Sequence, residues 1–161
     1  MKNTIIYPGT FDPITYGHID IIHRAANIFE KVIIGIIESP LKTNFWFSIG
    51  ERREMVELAI KDFKNVRVQT FNGLLVDFAK SLGVNLVVRG LRAITDFEYE
   101  FQMALTNKKL EDEIETIFMM TNEKYSYLSS SVVKEISKFG GDISQFVPEF
   151  VADRVFKKLQ K

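Results

Sequence analysis

The feature that most constrains the fold is a regular alternation between short apolar runs and segments whose apolar residues have helical spacing. One run, Val32–Ile37, is continuously apolar, which is typical of a strand buried on both faces of a parallel sheet. Helical segments such as Gly17–Phe29 separate the runs along the chain. This alternation predicts an α/β fold, a doubly wound parallel sheet of five strands with helices on both faces. The predicted strands are Thr4–Tyr7, Val32–Ile37, Val66–Phe71, Leu86–Val88 and Glu115–Met120.

The length of the chain favours one domain. Its 161 residues suffice to bury a core, and no repeat, low-complexity tract or Pro/Gly-rich linker divides them. We therefore expect a single domain over residues 1–161, with a last helix at about 147–159 packing on it.

Composition excludes several classes of function. Lys plus Arg and Asp plus Glu both number 21, so there is no basic excess of the kind that nucleic-acid or membrane binding favours. The absence of cysteine removes disulfides, thiolate metal sites and cysteine nucleophiles, and is compatible with a reducing cytoplasm, where we expect the protein. No apolar run approaches the ~20 residues of a membrane span.

Ligands of doubly wound sheets bind beyond the carboxyl ends of the strands, so the segments that follow the strands carry the chemistry. Four cationic or potentially cationic side chains fall in these segments: His18, Lys42, Arg89 and Arg92. The run Ser129–Ser131 leads into a predicted helix, whose free N–H groups favour an anion. A neutral chain that gathers cations at one sheet edge resembles a phosphate binder.

Each of these features also has a purely structural interpretation. The two arginines could be surface residues, the serine run could be a redundant helix N-cap, and His18 could be a packed surface residue. The aromatic stretch Phe45-Trp46-Phe47 is more typical of packing or an interface than of base stacking. The chain has neither G-x-x-x-x-G-K-[ST] nor G-x-G-x-x-G after its first strand, which excludes the usual P-loop and dinucleotide fingerprints.

Several motifs together resemble one enzyme family. Thr15-Tyr16-Gly17-His18 matches the (T/H)-x-G-H motif of nucleotidyltransferases, and Leu128–Lys134 matches their I-S-S-(S/T)-x-x-(R/K) signature. More specific are Tyr7–Pro13 and Arg89–Ala93, the latter followed by Asp96–Glu100. In this order and spacing they resemble the bacterial phosphopantetheine adenylyltransferases over nearly the whole chain, which implies a Rossmann-like nucleotidyltransferase fold.

The resemblance implies a reaction and its partners. The adenylyl group of ATP would pass to 4′-phosphopantetheine, with Mg²⁺ as cofactor, giving dephospho-coenzyme A and pyrophosphate. The attacking phosphate has its second pKa near ~6, so direct attack needs neither a general base nor a protein nucleophile. The resemblance also implies a homohexamer, possible feedback by coenzyme A, and Mg²⁺ held mainly through phosphates, without a protein metal site.

The resemblance further implies roles for individual residues. His18 would stabilise the transition state at the α-phosphate, with Lys42 and Arg92 as further catalytic residues. The acceptor-binding residues would be Thr10, Lys42, Leu75, Arg89 and Asn107. The ATP-binding residues would be Thr10, Phe11, His18, Gly90, Leu91, Arg92, Glu100, Tyr125, Ser126, Tyr127, Leu128, Ser129, Ser130 and Ser131.

The chain departs from the family pattern in a few places, and two other functions stay open. Leu128 replaces the usual Ile, Lys134 replaces the Arg of the wider superfamily, and the loop carrying Lys42 is one residue longer than usual. A related nucleotidylyltransferase with another phosphorylated acceptor would share the shorter motifs. A non-catalytic nucleotide-binding module could share the fold.

Overall fold

The structure is a computed structural model that describes residues 3–38, 44–92 and 94–160. The predicted alternation of strands and helices is confirmed. The elements are β1 (Thr4–Gly9), α1 (Tyr16–Ile28), β2 (Lys31–Glu38), α2 (Ile49–Ala59), β3 (Val66–Asn72), α3 (Leu75–Leu82), β4 (Leu86–Leu91), α4 (Ile94–Leu110), β5 (Glu115–Met120), a 3-10 turn (Glu123–Tyr125), α5 (Ser130–Lys138) and α6 (Glu149–Leu159).

The five strands form one parallel sheet, as predicted, and their order is β3-β2-β1-β4-β5, which is typical of a doubly wound fold. The strand order reverses between β1 and β4. There the pairing is reduced to Ile6 opposite Val87, whereas β1 pairs with β2 from Thr4 to Gly9. Because β1 and β4 pair so briefly, a crevice opens between their carboxyl ends, where such folds bind ligands.

β1 and β4 end two and three residues later than the sequence predicts, whereas β2 and β3 each end one residue later. We expected Pro8 and Gly9 to end β1, but both continue it in register with β2. We expected β4 to end at Val88, but it continues to Leu91 because Arg89 and the two residues after it pair with β5. Arg89 therefore projects from a strand within the sheet and not from the loop that follows it.

The core lies on both faces of the sheet because neighbouring strand residues point to opposite sides. On one face, Ile5 and Tyr7 belong to a cluster with buried residues of α1, α2, α5 and α6. On the other, Ile6 and Ile33 pack with buried residues of α3. Within the three described segments, no helix combines the length and apolarity needed to cross a membrane.

Local capping signals fix where α1 and α2 begin. The predicted capping box of α2 is present, since Ser48 Oγ accepts from the N–H of Glu51 while a Glu51 carboxylate oxygen accepts from the N–H of Ser48. Helix α1 has its own N-cap, Thr15, so that His18 is the third residue of the helix. The N-termini of α1 and α5 both lie at the carboxyl edge of the sheet.

Candidate active site

A cavity of about 550 Å³ occupies the crevice beyond β1 and β4. Its wall combines the ends of these strands with the first turns of α1 and α5 and one side of α4. Most of the residues that the sequence assigned to substrate binding line this single cavity. They are Thr10, Phe11, His18, Leu75, Arg89, Gly90, Arg92, Glu100, Asn107, Leu128, Ser129, Ser130 and Ser131.

Of the five remaining assigned residues, four are placed away from the cavity. Leu91 is buried in the strand, and Tyr125 stacks on Tyr16 with ring centroids 6.2 Å apart. Ser126 Oγ donates to the carbonyl of Glu123. Tyr127 is 61% exposed. None of these four lines the cavity, because Tyr125–Tyr127 belong to the turn that precedes α5. The fifth, Lys42, lies outside the described residues.

The capping geometry of α1 fixes the proton of His18. The backbone N–H of Thr15 donates to His18 Nδ1 at 3.0 Å, and the backbone N–H of His18 donates to Thr15 Oγ1 at 3.4 Å. A backbone N–H can only donate, so Nδ1 is the unprotonated nitrogen of a neutral ring. The ring proton then lies on Nε2, the nitrogen left free for a ligand in the cavity.

The surroundings of His18 keep its ring neutral. Burial lowers the pKa of His18 from 6.5 to about 4, and the positive charges of Arg92 and Arg89 act in the same direction. The ring also packs edge-on against Phe11, with centroids 5.0 Å apart. A neutral imidazole with its proton on Nε2 can donate a hydrogen bond to an anion without changing its own charge.

Both predicted arginines are held by carboxylates of α4. Arg89 forms a bidentate ion pair with Glu100, at 2.6 and 2.5 Å, and donates to the carbonyl of Pro8 at 2.6 Å. Arg92 pairs with Asp96 at 2.8 and 3.2 Å. Bidentate pairing fixes the guanidinium planes, which favours directional binding of phosphate oxygens by the remaining N–H groups. The sequence assigned Arg89 and Glu100 to different substrates, yet the structure brings them together.

The start of α5 has the geometry of an anion site. Ser129 is the N-cap, and its Oγ accepts from the N–H of Val132 at 3.0 Å, so the capping interpretation is correct for this serine. Ser130 Oγ donates to the carbonyl of Pro13 at 2.8 Å, which attaches the helix start to the loop after β1. The N–H groups of Ser130 and Ser131 have no acceptor within the helix, because its first backbone bond runs from the N–H of Val133 to the carbonyl of Ser129, and both serines border the cavity.

Two buried charged residues next to cavity-lining segments, Asp12 and Arg52, were not predicted as site residues. Asp12 is 2% exposed and accepts three hydrogen bonds, and Arg52, also 2% exposed, donates to the carbonyls of Thr10 at 2.8 Å and Ile37 at 3.0 Å. Burial lowers the pKa of Arg52 below its usual value. Two sequence signals existed: Asp12 lies inside the Tyr7–Pro13 string, and Arg52 lies three and four residues before Met55 and Val56, on the buried face of α2.

These features define a class of protein: an α/β fold in which two helix N-termini, two arginines and a neutral histidine converge on one crevice. The family model described as cytidylyltransferase-like matches residues 6–136. In fold, the chain is similar to the Plasmodium falciparum nicotinic acid mononucleotide adenylyltransferase, with TM-score 0.70, 15% identity, and coverage of 99% of this chain and 95% of the other. This is the fold and family of the nucleotidyltransferases.

Relatives of higher sequence identity show which family of nucleotidyltransferases the chain belongs to. The chain is 56% identical over 156 residues to a phosphopantetheine adenylyltransferase of Caldanaerobacter subterraneus subsp. tengcongensis, covering 97% of both chains. It is 54% identical over 153 residues to the one of Alkaliphilus metalliredigens, covering 95% of this chain and 97% of the relative. The chain belongs to the phosphopantetheine adenylyltransferase family of nucleotidyltransferases, which confirms the resemblance found in its motifs.

Proposed function

We propose that this enzyme transfers the adenylyl group of ATP to 4′-phosphopantetheine, releasing pyrophosphate and forming dephospho-coenzyme A. One observation supports transfer of a phosphate-containing group: a neutral histidine and two helix N-termini border the same cavity. The identity of the acceptor rests on relatives that carry this name and are more than half identical over nearly the whole chain.

The proposed step is a single in-line displacement. A phosphate oxygen of 4′-phosphopantetheine attacks the α-phosphorus of ATP, a new P–O bond forms, and the bond from the α-phosphorus to the bridging oxygen breaks. The electron pair of the broken bond leaves with pyrophosphate. The attacking phosphate is already largely ionised at neutral pH, so no protein group has to remove a proton. The protein's task is to position two polyanions and to stabilise charge as it develops.

The proposed roles divide the cavity into three parts. His18 donates from Nε2 to an α-phosphate oxygen, where negative charge grows in the transition state. The first turn of α5 binds the β- and γ-phosphates through the N–H groups of Ser130 and Ser131 and the hydroxyl of Ser131, since the Ser130 hydroxyl donates to Pro13. The guanidinium group of Arg92 binds the same phosphates. Arg89 lies on the side of the cavity that binds the acceptor.

The remaining assignments follow the same division. Lys42 and Thr10 would contact the reacting phosphates, and Leu75 with Asn107 would border the pantetheine arm. Gly90 and Glu100 would lie on the ATP side. In support, Gly90 has little free space: a Cβ there would lie 3.2 Å from Ile21 Cγ1, so a larger residue would move β4 or α1 beside the nucleotide.

Mg²⁺ is the proposed cofactor. Nucleotidyltransferases typically use a divalent metal with their nucleotide, and Mg²⁺ prefers phosphate oxygens and water to a dedicated protein cage. Within residues 3–38, 44–92 and 94–160, no group of three or more histidines and carboxylates could hold a metal ion. We propose that Mg²⁺ would be bound mainly through the phosphates of ATP, where it would neutralise part of their charge.

We also propose a homohexamer, feedback by coenzyme A and a cytoplasmic location. Helix α4 supports an assembly because six of its large apolar side chains are exposed. An exposed apolar patch of this kind is typical of a protein–protein interface. Coenzyme A contains the pantetheine and adenylyl parts of the two substrates, so it can compete for the same cavity. The lack of cysteine is compatible with the cytoplasm. Light scattering tests the assembly, and titration of coenzyme A into the assay tests the feedback.

Pyrophosphate release with ATP and Mg²⁺ against a panel of acceptors tests the function. The panel contains 4′-phosphopantetheine, unphosphorylated pantetheine, nicotinamide mononucleotide and glycerol 3-phosphate. We expect turnover with 4′-phosphopantetheine alone. Turnover with nicotinamide mononucleotide or glycerol 3-phosphate would reassign the acceptor. ATP binding without turnover on any acceptor would favour a binding module.

A further inference from the structure

A buried carboxylate connects three segments that are distant in sequence, two of which, the loop after β1 and the start of α5, border the cavity. Asp12 accepts hydrogen bonds from the backbone N–H groups of Trp46, at 3.1 Å, and Phe47, at 3.0 Å. It also accepts from the ammonium group of Lys134 at 2.9 Å. Burying a carboxylate is costly unless it is paired and hydrogen-bonded, and these three donors satisfy that requirement.

Lys134 gives α5 its second attachment to the loop after β1. Four residues earlier, Ser130 Oγ donates to the carbonyl of Pro13. Residues four apart lie on the same helix face, so Ser130 and Lys134 attach one face of α5 to two consecutive residues, Asp12 and Pro13. These contacts fix both the position of the helix start and its rotation about the axis.

The same loop connects directly to the other helix that borders the cavity. Thr15, the N-cap of α1, is only two residues beyond Pro13, and His18 follows in the first turn. The segment from Asp12 to His18 therefore holds α1 at one end and α5 at the other. A change in the Asp12–Lys134 contact would alter the spacing between His18 and the first turn of α5.

We propose that Asp12 and Lys134 form a positioning pair that sets the start of α5 against His18, and hence the β- and γ-phosphates of ATP against its α-phosphate. This inference rests on the proposed function. Lys134 itself does not line the cavity, so it acts through Asp12 and not as a phosphate ligand. The pair also gives the aromatic stretch Phe45-Trp46-Phe47 a role, because its backbone completes the Asp12 site.

The chain provides a matched control for Lys134. Its Nζ lies 5.9 Å from the Trp46 ring centroid, and the Nζ of Lys138, one turn further along α5, lies 5.7 Å from the same ring. Both lysines can therefore make a cation–π contact with Trp46, whereas the ion pair with Asp12 is formed by Lys134. Lys134→Met and Lys138→Met remove the same charge from the same helix, so their difference reports the Asp12 contact.

The experiment is steady-state kinetics of pyrophosphate release with each substrate varied in turn, for wild type, Lys134→Met, Lys134→Arg and Lys138→Met. For Lys134→Met we expect kcat/KM for ATP to fall at least about tenfold, because a charge-assisted contact to a buried group is lost. The KM for 4′-phosphopantetheine should stay within about twofold. Lys134→Arg, which keeps a charged donor for Asp12, should recover most of the loss, and Lys138→Met should behave as wild type.

The outcomes separate this inference from the proposed function. Wild-type protein that releases no pyrophosphate with 4′-phosphopantetheine contradicts the function itself. Wild-type turnover with an unchanged kcat/KM for ATP in Lys134→Met overturns only the positioning pair. A KM for 4′-phosphopantetheine that rises as much as the KM for ATP, no recovery in Lys134→Arg, or the same loss in Lys138→Met also overturns it. If Lys134→Met does not fold, Lys134→Gln, which keeps a neutral donor, takes its place and is held to the same criteria.

Discussion

Protonation of His18 should occur far below the usual range for histidine. Its pKa is lowered from 6.5 to about 4 by burial and by two nearby arginines, which corresponds to about 3 kcal/mol of preference for the neutral ring. The chain contains two histidines, so a His23→Gln variant leaves a single imidazole to observe. We expect ¹⁵N NMR of that variant to show an unprotonated Nδ1, a proton on Nε2, and a midpoint near pH 4.

The same shift has a consequence for stability. Between about pH 6.5 and pH 4, the unfolded chain takes up a proton at residue 18 that the folded chain does not. Stability is therefore lost as the pH falls through this window, by up to about 3 kcal/mol for this group. Urea unfolding of the His23→Gln variant and of His18→Asn/His23→Gln, at pH 7 and pH 4.5, should show a smaller pH-dependent loss in the double variant. A midpoint at or above 6.5, or a proton on Nδ1, would refute the reasoning.

Three further predictions concern single side chains. His18→Ala should lower kcat by about 10²- to 10³-fold while leaving ATP affinity within a few-fold, because it removes a contact to charge that develops in the transition state. Single-turnover kinetics and ATP titration measure the two quantities. An unchanged kcat with weakened ATP binding would contradict the prediction. Arg52→Met should lower the free energy of unfolding by at least about 2 kcal/mol, since the carbonyls of Thr10 and Ile37 lose a buried donor, and wild-type stability in urea would contradict this. Gly35→Ala should cost about 1–3 kcal/mol in the same assay, because its Cβ would lie 2.8 Å from Phe78 Cε1. The control Gly50→Ala, on α2 with nothing within 4 Å, should be neutral or stabilising by up to about 1 kcal/mol.

The order of the elements could be predicted from the sequence, but the ends of two strands could not. Apolar periodicity reports which face a residue buries, and this was enough to locate all five strands. Pro8 and Gly9 resemble strand breakers when they are considered alone, yet both extend β1 beside β2. Arg89 resembles a loop residue, yet it pairs within β4. Strand ends depend on neighbours that are distant in sequence, which local patterns do not contain.

Some residues of the site could likewise be predicted from the sequence, whereas the contacts that hold them in place could not. His18 and the Ser129–Ser131 run could be predicted because they lie in short motifs that follow strands. The contacts that hold them could not, because Asp12 and Lys134 are 122 residues apart in sequence and Arg52 reaches the carbonyl of Thr10 from 42 residues away. The ion pair between Arg89 and Glu100 likewise depends on how α4 packs beside β4.

We propose that this site positions phosphates and stabilises charge without forming a covalent bond to the protein. The serines at the start of α5 are the obvious rival nucleophiles, because they border the same cavity. The most direct test uses a single stereoisomer of ATP with sulfur and an oxygen isotope on the α-phosphorus, followed by determination of the configuration in the product. One in-line displacement predicts inversion at the α-phosphorus. Retention would require two displacements, hence an adenylylated protein intermediate, and would contradict the account.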